Sequence, residues 1–184
     1  MKRSTVVCLV FLLHFPSGAA LAQPASAYAG QETRDIKALS PEEVSAYLSG
    51  KGMGLAKAAE LNGYPGPAHV LGLAPQLALT PEQRARTEAI FAAMESKAAT
   101  LGRALVEAER KLDRMFATKA VSVESLASAL SEIGVLQAKV RGAHLEAHLA
   151  QAQIITAEQS ARYAELRGYG GSSAHSGHGG QHRH

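Results

Sequence analysis

Leu79-Thr80-Pro81-Glu82-Gln83 opens a stretch that runs to Phe116 and carries Phe91, Met94, Ala98, Leu101, Leu105, Ala108, Leu112 and Met115 at spacings alternating between three and four. That rhythm sets these side chains on one stripe of an α-helix, and the stripe requires a second helix to cover it. Thr80 is placed to cap the helix, Pro81 suits its first position, and Gln83 stands where a capping-box side chain reaches back. At ~1.5 Å per residue the helix would be roughly 55 Å long, more than the middle of a small globule can bury. An extended antiparallel hairpin is the arrangement that accommodates it.

The chain on the C-terminal side supplies the partner. Ser122 can cap a second helix with Ser125 three residues on, and Val123, Leu126, Leu130, Ile133, Gln137, Val140, His144, Ala147, Gln151 and Ile154 keep the same alternation. Two long periodic helices joined by a short turn predict a hairpin. Ile155-Thr156-Ala157-Glu158-Gln159 then begins a third capped piece that should reach about Leu166, before Gly168. On the N-terminal side, Leu39-Ser40-Pro41-Glu42-Glu43 repeats the capped opening and predicts a short helix to about Leu48. Gly50, Gly52 and Gly54 interrupt it, Leu55 to Leu61 offers two more turns, and Asn62-Gly63 ends them. Tyr64-Pro65-Gly66-Pro67 is a corner, because each proline denies its predecessor the helical conformation. Ala68 to Leu77 can add a further turn or two. The N-terminal third therefore reads as small helical pieces laid over something longer.

Lys2 and Arg3, the apolar run from Val6 to Phe15 and the small-x-small pattern of Ala20-Leu21-Ala22 make residues 1 to 22 a signal peptide cleaved near Ala22/Gln23, and the mature protein is expected in the periplasm. The lone cysteine, Cys8, lies inside it, so the mature chain forms no disulfide. Without Lys2 and Arg3 the 19 basic residues fall to 17 against 16 acidic ones, which leaves no electrostatic footprint for nucleic acid. Tryptophan is absent and aromatic residues make up only 5%, so the core must be built from Leu, Ala, Ile, Val and Met, a composition suited to an all-α protein. Residues 23 to 38 read as a flexible leader, residues 39 to 168 as the helical domain, and residues 169 to 184 as a disordered tail of Gly, Ser and His. Glu82 with Arg86 and Glu107 with Lys111 stand at i, i+4 in the favourable order.

Leu79, Thr80 and Gln83 in the first motif, and Ile155, Thr156 and Gln159 in the second, form two copies of an L-T-x-x-Q pattern flanking the hairpin, with Ile155 replacing leucine. With the secretory leader and the cysteine-free helical body, the chain resembles the Spy/CpxP/ZraP family of periplasmic proteins over roughly residues 39 to 168, and the related CnrX-like metal sensors. The resemblance implies a hooked hairpin of about four helices that dimerises into a curved cradle. It implies an ATP-independent chaperone or envelope-stress adaptor that holds unfolded or misfolded envelope proteins and answers to a sensor kinase or another membrane regulator. It also implies, as the alternative, a heavy-metal sensor or buffer. The glycine-rich N-terminal third departs from the regular first helix of Spy.

The side chains themselves favour binding over catalysis. No cysteine nucleophile, ordered Ser-His-Asp set, phosphate loop or dinucleotide turn is present, and Gly52-Met53-Gly54 follows no strand, so no enzyme and no required cofactor are expected. His175, His178, His182 and His184 lie among glycines that let several imidazoles converge on a borderline ion such as Zn, Ni or Cu(II). His144 and His148 are one helical turn apart and can share such an ion, although His144 also falls on the apolar stripe, where packing alone would explain it. His69, alone after a proline corner, reads as structural.

Overall fold

A computed structural model describes residues 26 to 169. Its helices are α1 (Pro41–Leu48), α2 (Lys57–Glu60), α3 (Pro67–Gly72), α4 (Pro81–Ala117), α5 (Val123–Ala152) and α6 (Ala157–Leu166). The all-α class holds, since every regular element among the described residues is a helix. Residues 26 to 32 belong to a separate small unit of turns, with the Ala29 N–H donating to the Ser26 carbonyl at 2.9 Å. Residues 1 to 22, read as a signal peptide, and the histidines at 175, 178, 182 and 184 lie outside the described residues.

Each long element begins where its hydroxyl residue predicts. Ser40, Thr80, Ser122 and Thr156 all stand in extended conformation, and each accepts a bond from the backbone N–H three residues on while the side chain there bonds back. Such caps satisfy amides that would otherwise be orphaned, at about 1 kcal/mol each. α4, at 37 residues, packs along α5, at 30, to form the hairpin. Leu105, Ala108, Ile133 and Val140 form one core cluster between them, joined by Tyr47 of α1 and Leu101, Leu112 and Leu136. A second cluster joins Val70 of α3 and Leu77 to Ile155 and Tyr163 of α6.

The stripes are largely as read, with three exceptions on α5. Val123, Leu130 and Gln137 are exposed, and Ala129 and Leu136 take inward positions instead. Over 30 residues a strict three-four alternation drifts from the 3.6-residue turn, so the contact line slips by one position. The i, i+4 pairs also differ: Glu107 bonds Arg110 at 2.6 Å and Arg114 at 2.8 Å rather than Lys111, and the pair formed near the helix start is Arg84 with Glu88 at 3.9 Å, not Glu82 with Arg86. These charges are exposed, and their geometry is set by rotamer freedom more than by spacing.

Two readings of the N-terminal third change. Residues 33 to 38, read as leader, are part of the body: Ile36 is 2% exposed, Lys37 pairs with Asp113 at 3.2 Å and Asp35 with Arg110 at 3.1 Å. The two turns expected from 55 to 61 shorten to the four residues of α2, with glycine on either side, while the turn or two expected from 68 to 77 is found as α3. α1 crosses α4 at Gly102, where an added Cβ would lie 2.1 Å from the Tyr47 carbonyl oxygen. Gly50, at φ +67, turns the chain off α1 with its Cα against the backbone of Glu95. Together these contacts bring the 50 to 67 segment over the middle of the hairpin.

Candidate metal-binding pocket

On α5, His144 and His148 lie between the two core clusters, one turn apart and both buried. The segment from Gly50 to His69 folds over them and, with Phe91 and Met94 of α4, lines a half-open pocket of about 440 Å³. His144 is 3% exposed, and its Nε2 is buried without a hydrogen-bond partner. Burial, and behind it repulsion from a protonated His148 ring were both to ionise, hold the His144 imidazole below its ordinary pKa, so the ring is neutral at pH 7 with a lone pair available.

His148 is oriented by the proline corner. Its Nδ1 lies 2.7 Å from the Tyr64 carbonyl oxygen, which can only accept, so Nδ1 carries a proton and in the neutral ring the lone pair is on Nε2. A bond from the second ring nitrogen to a backbone carbonyl is the usual support of a metal-ligating histidine. Gly66 keeps that edge of the ring clear: a Cβ there would stand 3.0 Å from both Cε1 and Nε2 of His148.

Glu60, at the end of α2, is the hub beside the pair. Its Oε1 accepts from the Tyr163 hydroxyl and from the Tyr169 hydroxyl at 3.0 Å, and its Oε2 accepts from the Gly66 N–H at 3.1 Å. His69 Nδ1 and Arg167 Nε lie 3.4 and 3.6 Å from Oε1, and His148 Nδ1 lies 3.7 Å from Oε2. Burial pushes the Glu60 carboxyl up, but the two tyrosine hydroxyls, His69 and the Gly66 amide outweigh it and hold the group below the usual carboxylate range. Burial, and then the bond to Glu60, raise the Tyr163 phenol far above its ordinary value. Glu60 is thus an ionised carboxylate whose oxygens are engaged in tying α2 and the corner to α6.

The sequence placed His144 and His148 together, and they are neighbours in one pocket. Glu60, Gly66 and the Tyr64 carbonyl went unnoticed as parts of a site. Their only trace was the Tyr64-Pro65-Gly66-Pro67 corner itself, whose landing point on α5 no local pattern encodes. His69, read as structural, lies beside Glu60 with half its side chain exposed. His69, His144 and His148 all line the pocket, and among the described residues no group of three His, Cys, Asp or Glu side chains is arranged to hold a metal ion. No helix among them is long and apolar enough to cross a membrane. No protein-family model, no curated protein and no solved structure matches this chain.

Proposed function

We propose that this protein is an exported, non-enzymatic metal-binding protein, a heavy-metal sensor or buffer of the Spy/CpxP/ZraP kind, working as a helical homodimer. The observation that carries this is the buried, unpartnered Nε2 of His144, one helical turn from a His148 whose Nδ1 is bonded to the Tyr64 carbonyl. A buried imidazole nitrogen without a partner forfeits about 1 to 3 kcal/mol, which a bound cation would return. His144 and His148 would hold the ion, which would supply a fixed positive charge between the 50 to 67 segment and the hairpin. His175, His178, His182 and His184 would gather Zn, Ni or Cu(II) from solution.

Calorimetric titration of the full chain with Zn, Ni and Cu(II), and with Cu(I) under anaerobic conditions, tests this. The wild type should show a tight event that His144→Ala with His148→Ala removes, distinct from an event lost with the four tail histidines. Isotherms unchanged by the α5 pair would refute the pocket as an ion site.

Client holding, the chaperone or stress-adaptor function, is supported by a different feature. Leu130, Val135 and Leu149 stand about half exposed along α5, with Val123 more so and Phe116 near the hairpin turn. Exposed apolar side chains of this kind suit weak contact with apolar segments of unfolded envelope proteins. The protein should then suppress aggregation of a reduced client, and Leu130→Gln with Leu149→Gln should weaken that protection while leaving ion binding unchanged. Equal protection by the double variant would exclude this face.

A further inference from the structure

Met53, 42% exposed, and Met94 line the same pocket as His69, His144 and His148, so two thioether side chains share it with three imidazoles. Met53 sits between Gly52 and Gly54 with φ +44, a left-handed conformation that L side chains rarely adopt. Either neighbour could have occupied that position without strain, yet the long thioether side chain is the one held there. Backbone outliers of this kind persist where the surrounding structure or a ligand over-determines them. Met94 reaches the pocket from the middle of α4, on the stripe that otherwise carries core residues.

The charge balance separates soft monovalent from divalent ions. Thioethers are neutral and soft, and they select cuprous copper over the borderline divalent metals. Of the two carboxylates lining the pocket, Glu60 has its oxygens engaged by Tyr163, Tyr169 and Gly66, and Glu95 is exposed. Lys51 and Lys57 offset them in charge. The cost of taking an ion out of water grows with the square of its charge, so neutral imidazole and thioether donors favour a singly charged guest. A singly charged ion with an affinity for sulfur meets neither obstacle.

We infer that the pocket is a site for a soft monovalent metal ion, cuprous copper being the biological case, held by His144, His148, Met94 and Met53, with the tail histidines left to the divalent ions. This rests on His144 and His148 being an ion-binding pair and adds the identity of the ion and the sulfur donors. The test uses the full chain carrying Cys8→Ser, so that no thiolate competes, with Cu(I) under anaerobic competition against bicinchoninate and Zn(II) against a chromogenic chelator. Met53→Leu and Met94→Leu, which conserve volume, should each lower Cu(I) affinity by about tenfold or more and leave Zn(II) unchanged, and Met115→Leu should change neither. X-ray absorption of the Cu(I) form should show copper–sulfur scattering, a readout independent of any effect of the variants on folding. If His144→Ala abolishes Cu(I) binding while the methionine variants bind normally and no sulfur scatters, the soft-ion inference falls and the histidine site stands. If His144→Ala and His148→Ala leave Cu(I) binding as in the parent, both fall together.

Discussion

Glu109 is 9% exposed on the buried side of α4, near Tyr47, with neither an ion pair nor a side-chain hydrogen bond among the described residues. Burial raises its carboxyl above the ordinary value. A carboxyl whose folded-state pKa is raised contributes fully below the unfolded value and loses that contribution as pH rises through the folded one, so at neutral pH Glu109 is a liability. Glu109→Gln should therefore raise unfolding free energy by about 1 kcal/mol at pH 7, and the gain should fade as pH falls toward about 4. Urea denaturation at both pH values checks this, and an undiminished gain at the lower one would assign it to shape instead of charge. Gly102 makes the opposite case. In an isolated helix Gly→Ala would gain about 1 kcal/mol, but here the methyl would meet the Tyr47 carbonyl at 2.1 Å. Gly102→Ala should lose a net 1 to 2 kcal/mol or so, because the overlap with α1 backbone cannot be relieved by a rotamer. Both residues look unremarkable in the sequence, since each owes its character to a neighbour far along the chain.

At the scale of elements, the two motif glutamines do more than cap their own helices. The Nε2 of Gln83 donates to the Gln159 Oε1 at 2.8 Å and to the Ile154 carbonyl at 3.0 Å. In return the Nε2 of Gln159 donates to the Gln83 Oε1 at 3.0 Å and to the Leu77 carbonyl at 3.1 Å. Thr80-x-x-Gln83 and Thr156-x-x-Gln159 thus form a reciprocal amide pair that joins the start of α4 to the start of α6. Gln83→Ala and Gln159→Ala should each lower stability by about 2 kcal/mol, since each strips partners from partly buried groups. The double variant should lose at least about 1 kcal/mol less than the sum, the mark of a shared interaction. Strict additivity would mean that the two caps act separately. The capping role was legible from the spacing, because a capping box is closed within four residues. The pairing was not, because it needs two helix starts 76 residues apart to meet.

For the whole molecule, the consequence of the pocket is that an ion seated there belongs to the folded state alone. His144 and His148 would receive it beneath the 50 to 67 segment, whereas four histidines within ten residues at the C-terminus offer the unfolded chain the same ligands. Stabilisation by mass action requires binding to the native state in preference, about 2.7 kcal/mol at a hundredfold excess over Kd. Melting followed by circular dichroism should accordingly rise with added ion in the wild type and in a variant lacking the tail histidines, and stay flat in His144→Ala with His148→Ala. A rise confined to chains with an intact tail would overturn the pocket. The sequence by itself determined the helices, their starts and the hairpin, because caps, proline positions and a three-four rhythm are local physics that a few neighbouring residues enforce. Only the tertiary structure decided that a glycine-rich segment without periodicity folds over α5, that Glu60 ties it to α6, that Met53 and Met94 share a pocket with the histidines, and that Ile36 is core. Those outcomes depend on which surfaces remain uncovered once α4 and α5 have paired, and that surface exists only after the chain has folded.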